Sequence, residues 1–255
     1  MVEWIQNFLA AYVGQAIGNL ALFGLVYLVT RRWAAKWLAG RRIENRGQTD
    51  RAQLLHELRY TLGTFAFATA QLLAVQGLQA QGLTRLGVEA GLFGNLAAFV
   101  GLILFNDLWF YGVHRLLHHP RLYKHIHAVH HRSVDVNPFS SYSFHWVEAI
   151  LLTGWVLPAM LLVPLPLPAL MAAQVAGLAN NLMAHLGYEL LPRGWLRIPV
   201  LSWSNSATFH SLHHSYFKGN YGLFTRLWDR LFGTELPGYE EAFAQAHRAA
   251  PKSTE

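Results

Sequence analysis

Twelve of the chain's fourteen histidines fall between residues 114 and 214, most of them in three strings separated by long apolar runs. The strings read His114-Arg-Leu-Leu-His118-His119, His127-Ala-Val-His130-His131 and His210-Ser-Leu-His213-His214. Apolar runs of that length predict helices that cross a membrane, and an unpaired imidazole beside a bilayer is costly. Histidines in such places need something to bind. Residues three and four apart on a helix share a face, so each string is expected to deliver two or three imidazoles to one point. Neutral imidazole is the commonest metal ligand in proteins and suits iron, zinc, copper and nickel. Eight to ten such ligands exceed what one ion accepts, so two neighbouring metals are expected. Lone histidines such as His56 and His247 read as ordinary surface or capping residues, and His119 and His125 as supporting or solvent-facing ones.

Composition sets the surroundings. The chain is 53% apolar and only 13% charged, against about 25% charged residues in soluble proteins. Its 255 residues suffice for one domain with a substantial core, and no internal repeat divides it. With no cysteine there are no disulfides, thiolate ligands or iron–sulfur clusters, so nitrogen and oxygen must hold any metal. The net charge of +6 fits basic loops beside an anionic membrane surface. No basic run interleaved with aromatics suggests a nucleic-acid partner. Met1-Val2-Glu3-Trp4 lacks the basic start and cleavage site of a signal peptide.

These features predict an all-α integral membrane protein with four to five transmembrane helices and a histidine-rich helical cap. The spans are expected at about 5–30, 60–78, 92–111, 147–163 and 170–191. The cap takes 112–146 and 193–235, and 236–255 forms a peripheral tail. Asn45-Arg46-Gly47-Gln48 is the expected break in the basic segment 31–59, and Pro164, Pro166 and Pro168 mark a tight reversal. Lysine and arginine concentrate in 31–59, which places that segment in the cytoplasm and the N-terminus outside. Counting spans from there brings all three strings, and His185, to the cytoplasmic side of a bacterial inner membrane or an equivalent bilayer.

The string Asp107-Leu-Trp-Phe-Tyr-Gly-Val-His114-Arg-Leu-Leu-His118 resembles the first motif of the fatty acid hydroxylase superfamily, also called the sterol desaturase family. Leu122 through His131 resembles its second motif. The third motif and the segment after it are matched by His210 through His214, Asn220-Tyr221-Gly222 and Trp228 through Thr234. The resemblance covers residues 100–235; the first ninety residues share only apolar spans. It implies a di-iron centre that uses dioxygen to oxidise an unactivated C–H bond of a lipid, with zinc able to replace iron in purified samples. Its ligands would be His114, His118, His127, His130, His131, His210, His213 and His214, and His185 matches a further position. Some relatives carry a histidine where this chain has Asn181. His145 is the candidate to fill that place, a supporting role being the alternative, and His119 could exchange roles with His118.

Asp107, Glu148 and Asp229 are candidates to orient imidazoles through their free N–H groups, or else simple helix and arginine partners. No general acid or base is identifiable. Trp109, Phe110, Tyr111, Trp146, Trp195 and Trp203 either line a lipid route or anchor the chain at the interface. No flavin or haem signature is present, so a separate ferredoxin-, rubredoxin- or cytochrome-type donor with its reductase is expected to supply electrons. Arg115, Arg121, Lys124 and Arg132 could steer an acidic donor or bind lipid phosphates. The competing class is a histidine-lined metal-binding or metal-transport membrane protein without oxygenase activity, which should place its ligands at mid-membrane depth.

Overall fold

The computed structural model describes residues 2–43, 49–133 and 135–247. The expected break at 45–48 and the end of the tail lie outside them. Seven helices carry the architecture: α1 (Val2–Leu28), α2 (Arg51–Ala80), α3 (Leu92–Leu117), α4 (Trp146–Thr153), α5 (Val156–Leu162), α6 (Leu167–Ala184) and α7 (Ala207–Tyr216). No β-strand occurs among the described residues. Glu3–Trp33, Arg51–Ala80 and Leu92–Leu117 are long and apolar enough to cross a membrane, and 146–162 is a shorter apolar segment.

The long helices turn apolar faces outward. Ile5, Leu9, Val13 and Ile17 are exposed on α1, and Leu92, Leu96, Val100, Leu104 and Leu108 on α3. A four-residue spacing keeps each set on one side of its helix. Exposed apolar stripes of that length fit hydrocarbon, not water. Polar side chains point inward instead: Thr61, Thr64 and Thr69 of α2 are fully buried.

Two backbone pairings fix the ends of the bundle. Arg85 and Gly87, after α2, bond with Leu165 in the turn before α6 (Leu165 N to Arg85 O 3.0 Å, Gly87 N to Leu165 O 2.9 Å). At the other end Ile43 N donates to Gly187 O at 3.1 Å and Glu189 N to Arg41 O at 2.8 Å. The histidine-bearing segments gather at this second end.

Several boundaries differ from the sequence expectation, each for a local reason. Helix α2 starts at Arg51, not near 60, because Asp50 caps it by accepting from Gln53 N at 2.7 Å. One face of its first turns carries a buried carboxylate: Glu57 accepts from Gln53 Nε2 (2.8 Å) and Asn137 Nδ2 (2.9 Å). Helix α3 runs past 111 to Leu117. The expected span 147–163 is two helices broken at Gly154. Pro158 lacks the N–H that the Gly154 carbonyl would receive, and a Cβ on Gly154 would stand 2.8 Å from Ile150 O. The break leaves Leu151 O for Trp109 Nε1 (2.8 Å) and Thr153 O for Gln71 Nε2 (2.9 Å). Helix α6 ends at Ala184, short of 191, and Gly187 turns the chain at φ +74°.

Asn137 joins this framework to the cap. Its Oδ1 accepts from Phe139 N at 2.9 Å, its N donates to Ser140 Oγ at 3.1 Å, and its amide pairs with buried Glu57. Asn137→Ala strips a buried carboxylate of its main donor and removes a cap. We expect about 2–4 kcal/mol of destabilisation, read as a lowered midpoint of thermal unfolding in detergent.

Candidate metal centre

The last turn of α3 carries His114, and His118 caps it. A short helical turn, Ala128–His131, follows His127. His185 closes α6, and α7 supplies His210, His213 and His214. Helix α7 is set in place at its start: Ser206 accepts from Phe209 N (3.2 Å), and buried Glu189 accepts from both Thr208 N (3.0 Å) and Thr208 Oγ1 (2.7 Å).

These elements form two groups. His114, His118, His127, His131 and His213 offer ligand atoms all within 4.8 Å of one another, and so do His130, His185, His210 and His214. Each HxxHH string is therefore split, which the sequence reading did not foresee. His127 and His131 serve the first group and His130 the second; His210 and His214 serve the second and His213 the first. Positions i+3 and i+4 differ by about 100° around a helix, so neighbouring histidines point at different centres. The two strings exchange one imidazole each and tie the groups together.

Backbone carbonyls and one carboxylate orient the rings. The Nδ1 of His114 lies 2.9 Å from Tyr221 O, that of His118 2.9 Å from Phe217 O, and that of His213 2.7 Å from Gly219 O. His127 Nδ1 donates to Glu148 Oε1 (2.6 Å) and His185 Nδ1 to Asn181 O (2.9 Å). These acceptors demand a proton on Nδ1, which leaves the Nε2 lone pair facing inward. His114 and His127 then hold lone pairs 3.0 Å apart. Further Nε2 pairs stand at 3.0–3.2 Å: His127–His131, His131–His213, His185–His210 and His210–His214. Where both rings are held in that tautomer, as for His114 and His127, lone pairs at that distance repel unless a cation lies among them. The donor set is all imidazole, and it fits a transition-metal ion in each group.

One loop supplies three of those carbonyls, and it is strained. Phe217 and Asn220 sit at φ +57° and +55°, and Gly219 at +70°. Left-handed backbone at non-glycine residues costs of order 1–3 kcal/mol each. A Cβ on Gly219 would stand 2.5 Å from Thr234 O, and one on Gly222 2.2 Å from Thr225 O. Two buried carboxylates hold the loop. Asp229 accepts from Tyr221 N (2.9 Å) and Gly222 N (2.7 Å). Asp107 accepts from the backbone of Leu223 (3.0 Å) and Phe224 (2.7 Å) and from Thr225 Oγ1 (2.5 Å). Asp107 and Asp229 thus act on the histidines through the loop, whereas Glu148 bonds a ring directly.

His145 joins neither group. It is half-buried at the start of α4, where its Nδ1 accepts from Val147 N at 3.3 Å, so it caps a helix and does not replace the histidine absent at Asn181. Asn181 donates to Ser141 O (2.6 Å) and lends its own carbonyl to His185. His119 is exposed and caps the turn Pro120–Tyr123, and His125 is exposed. Among the aromatics proposed for a lipid route, Phe110 borders the cavities described below; Trp109 bonds Leu151 O and Trp195 bonds Ser204 Oγ. Glu189 and the loop carbonyls carried no recognisable signal in the sequence, beyond the glycine beside Tyr221.

Burial keeps the imidazoles neutral. It pushes His118 from 6.5 down to about 4 and His213 to about 3, where the neighbouring His118 adds to the effect. His127, His130, His131, His210 and His214 move the same way, with desolvation the larger cause and adjacent histidines the smaller.

An all-helical protein with apolar outer faces, and with two all-histidine groups at one end of its bundle that could each hold a metal ion, has the architecture of an integral membrane protein. Residues 99–234 match the family model described as Fatty acid hydroxylase, and the chain belongs to that family. It is 37% identical over 145 residues to the Delta(7)-sterol 5(6)-desaturase of Leptosphaeria maculans, covering 55% of this chain and 37% of that protein. The enzyme of the same name from Candida glabrata is 32% identical over 227 residues, 84% of this chain and 58% of its own length. Methylsterol monooxygenase 1 of Gallus gallus is 33% identical over 140 residues, 55% and 46%. The chain thus spans between 37% and 58% of these relatives. No solved structure matches.

Two outcomes follow. The wild-type protein should bind two equivalents of Co(II), and His118→Ala and His185→Ala should each retain about one, measured by elemental analysis after desalting. Below pH 6.5 the unfolded chain takes up protons that the buried histidines refuse. Stability of the metal-free protein should therefore be flat near pH 7 and fall as pH drops from 6.5 towards 4. Asp229, raised by burial, works in the opposite sense but is outnumbered. A pH series of chemical unfolding checks the sign.

Proposed function

We propose that this chain is a membrane-bound di-iron oxygenase that uses dioxygen and external electrons to hydroxylate or desaturate a C–H bond of a lipid. The observation that carries the reading is the pair of all-histidine groups beside a cavity enclosed by the apolar helices. His114, His118, His127, His131 and His213 would hold one iron, and His130, His185, His210 and His214 the other. Two irons so held supply the redox chemistry that reduces dioxygen and oxidises an unactivated C–H bond, which no side chain can do.

The chain's own residues do the rest. Phe110, Phe144, Leu152 and Asn181 border both the small cavity at the histidines and the larger one among the helices, and the first three give the neck between them an apolar wall. That neck keeps bulk water from the centre and admits hydrocarbon. Glu148, fully buried, fixes His127 in the tautomer that turns Nε2 inward. The names of the relatives point to sterols; a hopanoid, acyl chain, carotenoid or ether lipid is open to the same chemistry.

Electrons come from a separate ferredoxin-, rubredoxin- or cytochrome-type donor and its reductase. Arg115, Arg121, Lys124 and Arg132, all exposed, lie on the histidine-bearing segments and suit an acidic partner. The basic segment 31–59 supports a reading with that end in the cytoplasm of a bacterial inner membrane or an equivalent bilayer. The transport alternative wants ligands inside the spans at mid-membrane depth. Here all nine gather at one end.

The test is lipid mass spectrometry of cells expressing the wild-type chain or His130→Ala under labelled dioxygen. Wild-type cells should show a lipid that gains one labelled oxygen or loses two hydrogens, and the variant should not. An unchanged lipid profile with iron-loaded protein and a working donor would refute the reading.

A further inference from the structure

The cap carries an apolar surface that the spans do not account for. Between α6 and α7 the chain passes through two short 3₁₀ turns, Trp195–Arg197 and Leu201–Trp203. Val200, at the tip between them, is 82% exposed, and Ile198 and Trp203 are exposed beside it. The helical turn Leu227–Leu231 adds Leu231, 66% exposed, and Phe232 follows it at the surface. The two pieces adjoin: Arg226 N donates to Trp203 O at 2.8 Å, and the Arg230 guanidinium lies 5.3 Å from the centre of the Trp203 ring. Large apolar side chains gathered at a surface mark a place where water is displaced.

Neighbouring contacts set the depth of this surface. Thr225, next to Arg226, donates from Oγ1 to Asp107 at 2.5 Å, and Asp107 lies ten residues before the end of α3. That offset is about 15 Å along the helix. Leu223 O accepts from Asn180 of α6 at 2.7 Å, and Phe232 stacks on Tyr111 of α3 with ring centres 5.5 Å apart. Asp107 and Tyr111 both belong to a helix apolar enough to cross a membrane. The patch is thereby tied to the flank of the spans, near the level of the outward-facing Leu108. Basic groups rim it. Arg193 and Arg197 are exposed, and no carboxylate pairs with either among the described residues. Arg230 and buried Arg226 share Glu235. Apolar tips beside unpaired arginines, with a tryptophan at the boundary, suit the headgroup region of an anionic leaflet. A soluble acidic protein answers the arginines but not the depth.

We infer that residues 198–203, with Leu231 and Phe232, form a second membrane contact: a loop that dips about 5–10 Å into an anionic leaflet without crossing it. It lies in the stretch 193–235, which the sequence assigns to a cap outside the bilayer. Hydrocarbon takes Ile198, Val200 and Leu231, and lipid phosphates take Arg193 and Arg197. This contact is independent of the chemistry at the histidines.

The chain has no cysteine, so Val200→Cys offers one attachment point for a nitroxide on the full-length protein loaded with diamagnetic zinc. Relaxation of the label by oxygen, which concentrates in hydrocarbon, and by a water-soluble nickel chelate reports its depth. In nanodiscs of phosphatidylcholine and phosphatidylglycerol the label at 200 should favour oxygen, as one at Val100→Cys on the outward stripe of α3 does. A label at Glu240→Cys, on the exposed side of the helix Tyr239–Gln245, should favour nickel. Ile198→Cys repeats the measurement if Val200→Cys loses its zinc. Nanodiscs of phosphatidylcholine alone should raise nickel access at 200, and Arg193→Gln combined with Arg197→Gln should raise it in the mixed nanodiscs. A label at 200 that favours nickel in both lipids overturns the contact. So does one shielded from both reagents, which marks a surface covered by protein. Equal depth in both lipids overturns the anionic leaflet as the occupant.

Discussion

Imidazole lone pairs that face one another across about 3 Å repel, as those of His114 and His127 do, and this fold brings nine imidazoles into two tight groups. Everything around them resists that repulsion. The tautomers of His114, His118, His127, His185 and His213 are fixed from behind by carbonyls of Tyr221, Phe217, Asn181 and Gly219 and by the Glu148 carboxylate. Three of those carbonyls, from Phe217, Gly219 and Tyr221, belong to a loop forced into left-handed backbone, and the loop is clamped by Asp107 and Asp229. Strain and buried charge are costs the fold carries for the site, the pattern expected of functional regions.

The division of the histidine strings has a consequence for cooperation between the groups. Because His127–His131 and α7 each feed both groups, the two groups share one scaffold. A displacement of α7 moves His213 in one group and His210 and His214 in the other. Burial has a parallel effect, since a neutral imidazole is the form that binds metal and desolvation keeps the rings neutral well below physiological pH. The chain thereby gains ligands that protons compete for only weakly.

How much of this was legible in the sequence depends on the range of the interaction. The three strings, His185 and the apolar runs were readable because each signal is local and periodic. The split between groups follows from helix geometry but needs the third dimension to show which ring faces which centre. His145 looked like a ligand by type and position, yet it stands at a helix start and serves as a cap. The break at Gly154 was written in Gly154 and Pro158 and was masked by the uniform hydrophobicity of 147–163. The partners of Glu57 and Glu189 lie in distant segments, Asn137 and Thr208, and no pattern along the chain announces them.

The most direct test of the central claim is X-ray absorption at the iron edge of protein loaded with two irons. An inner shell made mainly of nitrogen at roughly 2.0–2.2 Å, with the outer scattering of imidazole rings and no sulfur, is the predicted spectrum. A shell dominated by oxygen, with two or fewer imidazoles per iron, would contradict it.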